Sequence, residues 1–158
     1  SIGIEISNPG HDFNYKRFSK KQIQSIKKLS RFLIKKYKID QKNILGHSDI
    51  APNRKKDPGE KFPWKYLAKF RIGKWNSLSI KTLIKNRKKK ISFTDKKFFF
   101  IYLSKIGYSI KNLTKLKKDK FSIFLISAFQ RRFRQELING KIDQECLLIS
   151  ENLAKKLN

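Results

Sequence analysis

The sequence predicts an α/β fold followed by a small three-helix bundle. Apolar residues alternate with other types over residues 2–6, as in a half-buried strand, and the short apolar run over 44–47 suits a second strand. Between them, apolar residues recur at helical spacing over 20–37, where they predict an amphipathic helix. Three further segments near the C-terminus show the same helical spacing.

The first helix has a clear start signal. Ser19 and Gln22 form the pattern of a capping box, in which each residue's side chain satisfies the other's backbone N–H. Residues 48–62 are rich in charge and contain Pro52, which predicts a structured loop. Pro63 is well placed to open a short helix after this loop, because its missing N–H costs nothing in a first turn.

Two domains are predicted, over 1–75 and 93–158. Residues 76–92 include four consecutive cations and read as a solvated basic linker. In the second domain, Ser92 or Thr94 caps a first helix and a third helix runs from about Asp143 to Leu157. The middle helix carries Phe121, Phe124, Leu125, Ala128, Phe129 and Phe133.

The composition permits a polyanionic partner without selecting one. The 158 residues include 39 Lys and Arg against 12 Asp and Glu, a formal net charge of +27. The cations are spread along the whole chain, and the Phe residues fall at core spacing. A nucleic-acid interface would instead need a basic face interleaved with exposed aromatic residues, so no nucleic-acid partner is expected. No apolar run is long enough to span a membrane.

The chain contains no Met and opens at Ser1 in a strand-like run. We therefore expect an upstream segment, including part of the first domain, to be missing from it. The single cysteine, Cys146, lies among apolar residues and is expected to be a small buried hydrophobe.

His47 and Asp57 are the residues that most suggest chemistry. His47 ends the second predicted strand and Asp57 follows ten residues later, across a loop stiffened by Pro52. Neutral imidazole and carboxylate are both good zinc ligands. The alternative is a surface histidine and an aspartate that caps a loop, and the two residues alone do not decide between these readings.

The run from Gly46 to Gly59 resembles the second metal-binding loop of type-2 N-acetylmuramoyl-L-alanine amidases, whose fold is shared with peptidoglycan-recognition proteins. Residues 1–5 resemble the strand that carries the catalytic glutamate of that family, and residues 62–64 match the motif that opens the helix after the zinc loop. The resemblance covers roughly residues 1–75. It implies a mixed sheet with flanking helices, of which the N-terminal part is missing here.

The resemblance also implies a zinc site and a reaction. His47 and Asp57 would bind Zn2+, Glu5 would act as the general base and acid, and Lys55 would point toward the scissile carbonyl oxygen. The reaction would be hydrolysis of the amide between N-acetylmuramic acid and L-alanine, in peptidoglycan or in muropeptides. The family's third ligand is a histidine on an earlier strand, whereas His11 falls in a stretch that the family places beside the substrate groove. The chain by itself is therefore expected to be inactive.

The C-terminal segment resembles three-helix peptidoglycan-binding domains. The resemblance is carried by residues 98–108, 126–134 and 139–143. Phe129 and Phe133 are expected in the core. The arginines of the middle segment could meet stem-peptide carboxylates or form a solvated face; they are Arg131, Arg132 and Arg134.

The main alternative function is a recognition module of the same fold that binds peptidoglycan without cutting it. A nucleic-acid-binding protein is the lesser alternative. The appended module points to the cell envelope or periplasm, with anchoring to the outer membrane through the missing N-terminus as one possibility and a cytoplasmic location as the alternative. A monomer is expected.

Overall fold

The computed structural model describes residues 1–110 and 120–156, whose regular secondary structure is all helical. They form seven α-helices and one short 3-10 helix. The elements are α1 (Lys20–Tyr37), η1 (Gln41–Asn43), α2 (His47–Ile50), α3 (Trp64–Ala68), α4 (Ile80–Asn86), α5 (Phe93–Lys105), α6 (Lys120–Phe133) and α7 (Gln144–Lys155).

The predicted mixed α/β sheet is wrong for the described residues, which contain no strand. Residues 1–9 have no regular secondary structure, and Ile2 is half exposed. In the second predicted strand, the Ile44 carbonyl accepts from the Arg132 guanidinium at 2.9 Å. The Gly46 N–H donates to the Asp49 carboxylate at 2.8 Å. Because side chains satisfy these backbone groups, they are not available for a strand ladder.

Helix α1 confirms the helix predicted over 20–37, including its capping box. The Gln22 N–H donates to the Ser19 hydroxyl, and the Ser19 N–H donates to the Gln22 side chain. The helix ends at Tyr37, and Lys38, with a positive φ of 51°, forms a left-handed cap after it. Its inner face packs against α3 through an N-terminal core of Ile26, Phe62, Trp64, Leu67 and Ile72.

Helices α5, α6 and α7 confirm the three predicted C-terminal helices and share one core. Ser92 caps α5, as predicted, and Asp143, predicted as the start of the third helix, caps α7. Leu157, the predicted end of the third helix, lies outside the described residues. The core contains Phe99, Phe100, Leu103, Tyr108, Leu125, Ile126, Phe129, Phe133, Cys146, Leu147, Ile149 and Leu153.

The segment over 76–92 is more ordered than a solvated linker, because it contains α4 and is docked on α7. The Arg87 guanidinium makes two hydrogen bonds of 2.7 Å to the buried Glu145 carboxylate. The Lys88 N–H donates to Asp143 at 2.9 Å, and the Lys89 carbonyl accepts from Gln144 at 3.0 Å. The division into domains stays a prediction.

The N-terminal and C-terminal cores are in contact. Trp75 packs against both of them. The side-chain amide of Gln135, just beyond α6, donates to the Phe62 carbonyl at 2.8 Å. The C-terminal helices therefore support the loop that precedes α3. Within residues 1–110 and 120–156, no helix is both long enough and apolar enough to cross a membrane.

Candidate active site

Helix α2 places His47 at its first position. The helix has only four residues, and Gly46 precedes it as the N-cap. A side chain at position 46 would put its Cβ 2.6 Å from the Pro58 ring. Glycine is therefore required for the loop after α2 to pass this close to the start of the helix.

The loop over 51–58 folds back on α2 and brings Asp57 to His47. The Ser48 N–H donates to the Asp57 carbonyl at 3.0 Å. The Lys55 N–H donates to the Ala51 carbonyl at 2.9 Å, which closes the intervening turn. His47 Nδ1 lies 2.6 Å from Asp57 Oδ2, and the two side chains are 48% and 54% exposed. The two residues singled out from the sequence thus meet at a position that solvent can reach.

A second set of contacts holds the far end of this loop. The Tyr15 hydroxyl donates to the Pro58 carbonyl at 2.6 Å and accepts from the Lys61 N–H at 2.9 Å. Gly59 has a φ of +79°, and a Cβ there would lie 2.6 Å from the Tyr15 hydroxyl. Burial raises the pKa of Tyr15 to about 12, so the hydroxyl keeps its proton and can donate at neutral pH.

His11 contacts the same region through Glu60. Its Nε2 lies 3.0 Å from Glu60 Oε2, and its ring packs on Tyr15 with the ring centroids 4.4 Å apart. Burial works to raise the pKa of Glu60, but the hydrogen bond from His11 and nearby positive charge outweigh burial and leave that pKa below its usual value. His11 is therefore paired with Glu60 and supports the loop.

Glu5 and Lys55 are both exposed. Glu5 lies on the irregular segment before α1, and Lys55 lies in the loop between His47 and Asp57. Among the described residues, no hydrogen bond or ion pair joins either side chain to the His47–Asp57 pair. The structure brings together His47 and Asp57, and the roles of Glu5 and Lys55 stay predictions.

The His47–Asp57 pair fits part of a zinc site. A catalytic zinc takes three protein ligands and keeps one position open, and its ligands include imidazole nitrogen and carboxylate oxygen. His47 and Asp57 supply one of each, in contact and open to solvent. Within residues 1–110 and 120–156, no group of three His, Cys, Asp or Glu side chains could hold a metal ion. His47 and Asp57 would therefore supply two of the three ligands that such a site needs.

Sequence reasoning missed Asp49. Its carboxylate is buried and accepts from the Gly46 N–H, so it caps α2 at the start of the candidate site. A local signal existed, since an acidic residue three positions after Gly46 can cap a helix of this kind. Arg132 and Arg134 were also misread, because both are buried in ion pairs and neither forms a solvated face.

Comparison with known proteins agrees with the resemblance found in the sequence. Residues 1–60 match the family model described as N-acetylmuramoyl-L-alanine amidase. The N-acetylmuramoyl-L-alanine amidase AmiD of Escherichia coli is 34% identical over 162 aligned residues, which cover 99% of this chain and 57% of AmiD. The 1,6-anhydro-N-acetylmuramyl-L-alanine amidase AmpD of Haemophilus influenzae is 40% identical over 70 residues, 43% of this chain and 36% of AmpD.

Solved structures give the same result. Escherichia coli AmiD, in complex with the substrate anhydro-N-acetylmuramic acid-L-Ala-D-gamma-Glu-L-Lys, matches with a TM-score of 0.76 and 32% identity, over 91% of this chain and 55% of AmiD. AmpDH3 of Pseudomonas aeruginosa matches with a TM-score of 0.75 and 30% identity, over 93% of this chain and 57% of AmpDH3. The chain thus spans about half the length of AmiD and AmpDH3 and about a third of AmpD.

Proposed function

We propose that the protein hydrolyses the amide bond between N-acetylmuramic acid and L-alanine, in peptidoglycan or in muropeptides, and that it does so with zinc. Two lines of support meet in one place. The similarity to amidases covers the loop over 46–59, and that loop brings His47 and Asp57 into contact at an exposed position. The resemblance to the zinc loop of the family therefore has a geometric counterpart in this chain.

His47 and Asp57 would hold the zinc together with a ligand outside this pair. When bound, the metal would polarise the lactyl carbonyl and make a water molecule more acidic. Because the pair is open to solvent, it is accessible to a substrate carbonyl. His11 is engaged with Glu60 and is not assigned to the metal.

Glu5 and Lys55 would carry out the proton transfer and the charge stabilisation. The Glu5 carboxylate takes a proton from water as the water oxygen bonds to the lactyl carbonyl carbon. The C–N bond then breaks, and Glu5 returns the proton to the alanine nitrogen. The products are a muramyl carboxylate and a stem peptide with a free amino terminus. The Lys55 ammonium would approach the developing oxyanion and stabilise its charge.

The C-terminal helices would add peptidoglycan binding, as their resemblance implies. Phe93, Phe98 and Phe124 are 67%, 45% and 41% exposed, so they offer apolar surface on which sugar rings could pack. Replacing Phe98 and Phe124 with Ser should weaken sedimentation with insoluble peptidoglycan and spare cleavage of a soluble muropeptide. Unchanged sedimentation would remove this surface from the proposal. We place the activity in the cell envelope, where this polymer lies.

The test of the function is product analysis on a purified anhydromuramyl peptide, with a form of the protein in which all three zinc ligands are present. We expect free stem peptide beginning with L-alanine, detected by mass spectrometry. Its release should stop when zinc is removed with a chelator and return when zinc is added back. Binding of the muropeptide with no release, under zinc-replete conditions, would favour a recognition module over an enzyme.

A further inference from the structure

A buried polar cluster lies beneath α2 and joins it to the C-terminal helices. It consists of Asp49, Arg132 and Tyr108, whose residues are 9%, 3% and 6% exposed. Asp49 Oδ1 accepts from the Tyr108 hydroxyl at 2.7 Å, and Asp49 Oδ2 accepts from the Arg132 guanidinium. The partners lie 59 and 83 residues further along the chain, so this contact depends on the tertiary fold.

The same carboxylate fixes the start of α2. Asp49 Oδ2 also accepts from the Gly46 N–H at 2.8 Å, immediately before His47. A helix of four residues is too short to be stable by itself, because forming its first turn costs more than its hydrogen bonds return. The orientation of α2, and with it the position of the His47 ring, therefore depends on what holds Asp49.

Arg132 also contacts the chain on the other side of His47. Its Nη2 donates to the Ile44 carbonyl at 2.9 Å, and its guanidinium lies 4.0 Å from the centre of a Trp64 ring. Gly73 leaves room for this arrangement, since a Cβ there would lie 3.0 Å from Nη2. Arg132 thus contacts the backbone just before Gly46 and the carboxylate just after His47.

Stability alone is a weak reason for this cluster. Burying an ion pair removes both charges from water, and apolar residues of similar size often serve stability as well or better. The Arg132 Nε is buried without a hydrogen-bond partner among the described residues, which adds to the cost. What directional hydrogen bonds provide, and apolar packing does not, is a fixed geometry for the groups that they join.

We infer that Arg132 and Tyr108 are positioning residues for the candidate site, and that they act on His47 through Asp49. The C-terminal helices would then hold the metal-binding loop in register, in addition to any binding of peptidoglycan. The inference deepens the proposed function and rests on it for the role of His47. Its competitor is a purely structural cluster that stabilises the packing of the helices and leaves the His47 ring unaffected.

The test compares variants of the cluster with a matched ion-pair variant elsewhere. Tyr108→Phe removes one hydrogen bond to Asp49 and keeps the ring, and Arg132→Met removes the charge and keeps a long side chain. Arg87→Met is the control, because it breaks another charge pair of the C-terminal helices, with Glu145, that does not contact α2. If Arg132→Met does not fold, Tyr108→Phe carries the test.

The readout uses the two histidines of the chain, His11 and His47. Their imidazole signals can be separated in long-range 1H–15N spectra, and His11 serves as an internal reference. We expect the His47 signals to shift or broaden in Tyr108→Phe and Arg132→Met, while the His11 signals stay in place. Zinc affinity should fall about tenfold or more, as for other residues that orient a metal ligand. Arg87→Met should lower the melting temperature and leave both readouts at wild-type values.

Wild-type His47 signals and wild-type zinc affinity in the folded cluster variants would overturn the inference, whatever their melting temperatures. A shift of the His47 signals in Arg87→Met as large as in the cluster variants would also overturn it, because the shift would then follow from general destabilisation of the protein. Failure of the proposed function is distinguishable. The wild-type protein would then release no stem peptide, while the ring spectra would still report whether the cluster positions His47.

Discussion

His47 Nδ1 and Asp57 Oδ2 lie 2.6 Å apart, although ten residues separate them and both side chains are about half exposed. An exposed pair of this kind adds little to stability. Three features nevertheless fix the position of the His47–Asp57 pair. Gly46 allows the close approach of Pro58, Tyr15 binds the Pro58 carbonyl, and Asp49 caps α2. Several contacts thus position a pair that adds little to stability, which is the main physical reason to treat it as a site.

The first prediction concerns the metal. In a form of the protein with all three zinc ligands present, His47→Ala removes one of the two that the loop supplies, so stoichiometric zinc should be lost. His11→Ala is the control and should retain zinc, because His11 pairs with Glu60. Elemental analysis measures both variants. Full zinc content in His47→Ala would show that His47 is not a ligand, and loss of zinc in His11→Ala would bring His11 into the metal site.

The second prediction concerns Lys55. Removal of a group that stabilises an oxyanion lowers turnover by about a hundredfold or more, so Lys55→Ala should show this loss with its zinc content unchanged. Lys56→Ala is the matched control, since it removes the neighbouring cation and should leave turnover within about twofold of wild type. Stem-peptide release at saturating muropeptide gives the rates. An equal loss in both variants would indicate a general effect of loop charge.

The third prediction concerns the packing of the segment over 76–92. Glu145 is almost fully buried, and its carboxylate accepts two hydrogen bonds from Arg87. Among the described residues, Arg87→Met leaves the more distant Arg134, at 3.8 Å, as the cation nearest that carboxylate. The free energy of unfolding should fall by about 2 kcal/mol. Lys90→Ala, at an exposed position, should change it by less than about 0.5 kcal/mol. Chemical denaturation measures both, and equal small effects would mean that the segment is a free linker.

The fourth prediction concerns Cys146, whose buried thiol has a pKa raised by burial to about 12 from a usual value of 9.0. Its thiol should react with a disulfide reagent only when the protein unfolds, because the thiolate is the reactive form. The native state holds this proton more tightly than the unfolded state between about pH 9 and pH 12. The thiol's contribution to stability is therefore complete below pH 9 and is lost as the pH rises through that window. Cys146→Ala should show a smaller decline in stability over the same window, and an identical decline would contradict the assignment.

The helices were predictable because their signals are local. The capping residues Ser19, Ser92 and Asp143, and the apolar spacing that follows each, lie within a few residues of the helix that they define. The His47–Asp57 contact was also anticipated, through the resemblance of the loop to a family. Neither inference required knowledge of distant contacts.

The strands and the buried arginines were not predictable in this way. An alternating pattern over residues 2–6 shows what a strand could bury, but a strand exists only when another segment pairs with it. Arg132 and Arg134 stand in a run of cations that reads as solvated, and their partners Asp49 and Asp143 lie 83 and 9 residues away. Only the tertiary fold shows that these charges are buried and paired.

The most direct test of the central claim is hydrolysis of an anhydromuramyl peptide in water enriched in 18O, with Glu5→Gln run beside wild type. We expect one 18O atom in the lactyl carboxylate of the muramyl product and none in the released stem peptide, because water attacks the lactyl carbonyl carbon. Glu5→Gln should lower the rate by about a hundredfold or more with zinc retained, since its amide cannot accept the proton. Absence of 18O from the muramyl carboxylate, or an undiminished rate in Glu5→Gln, would contradict the account.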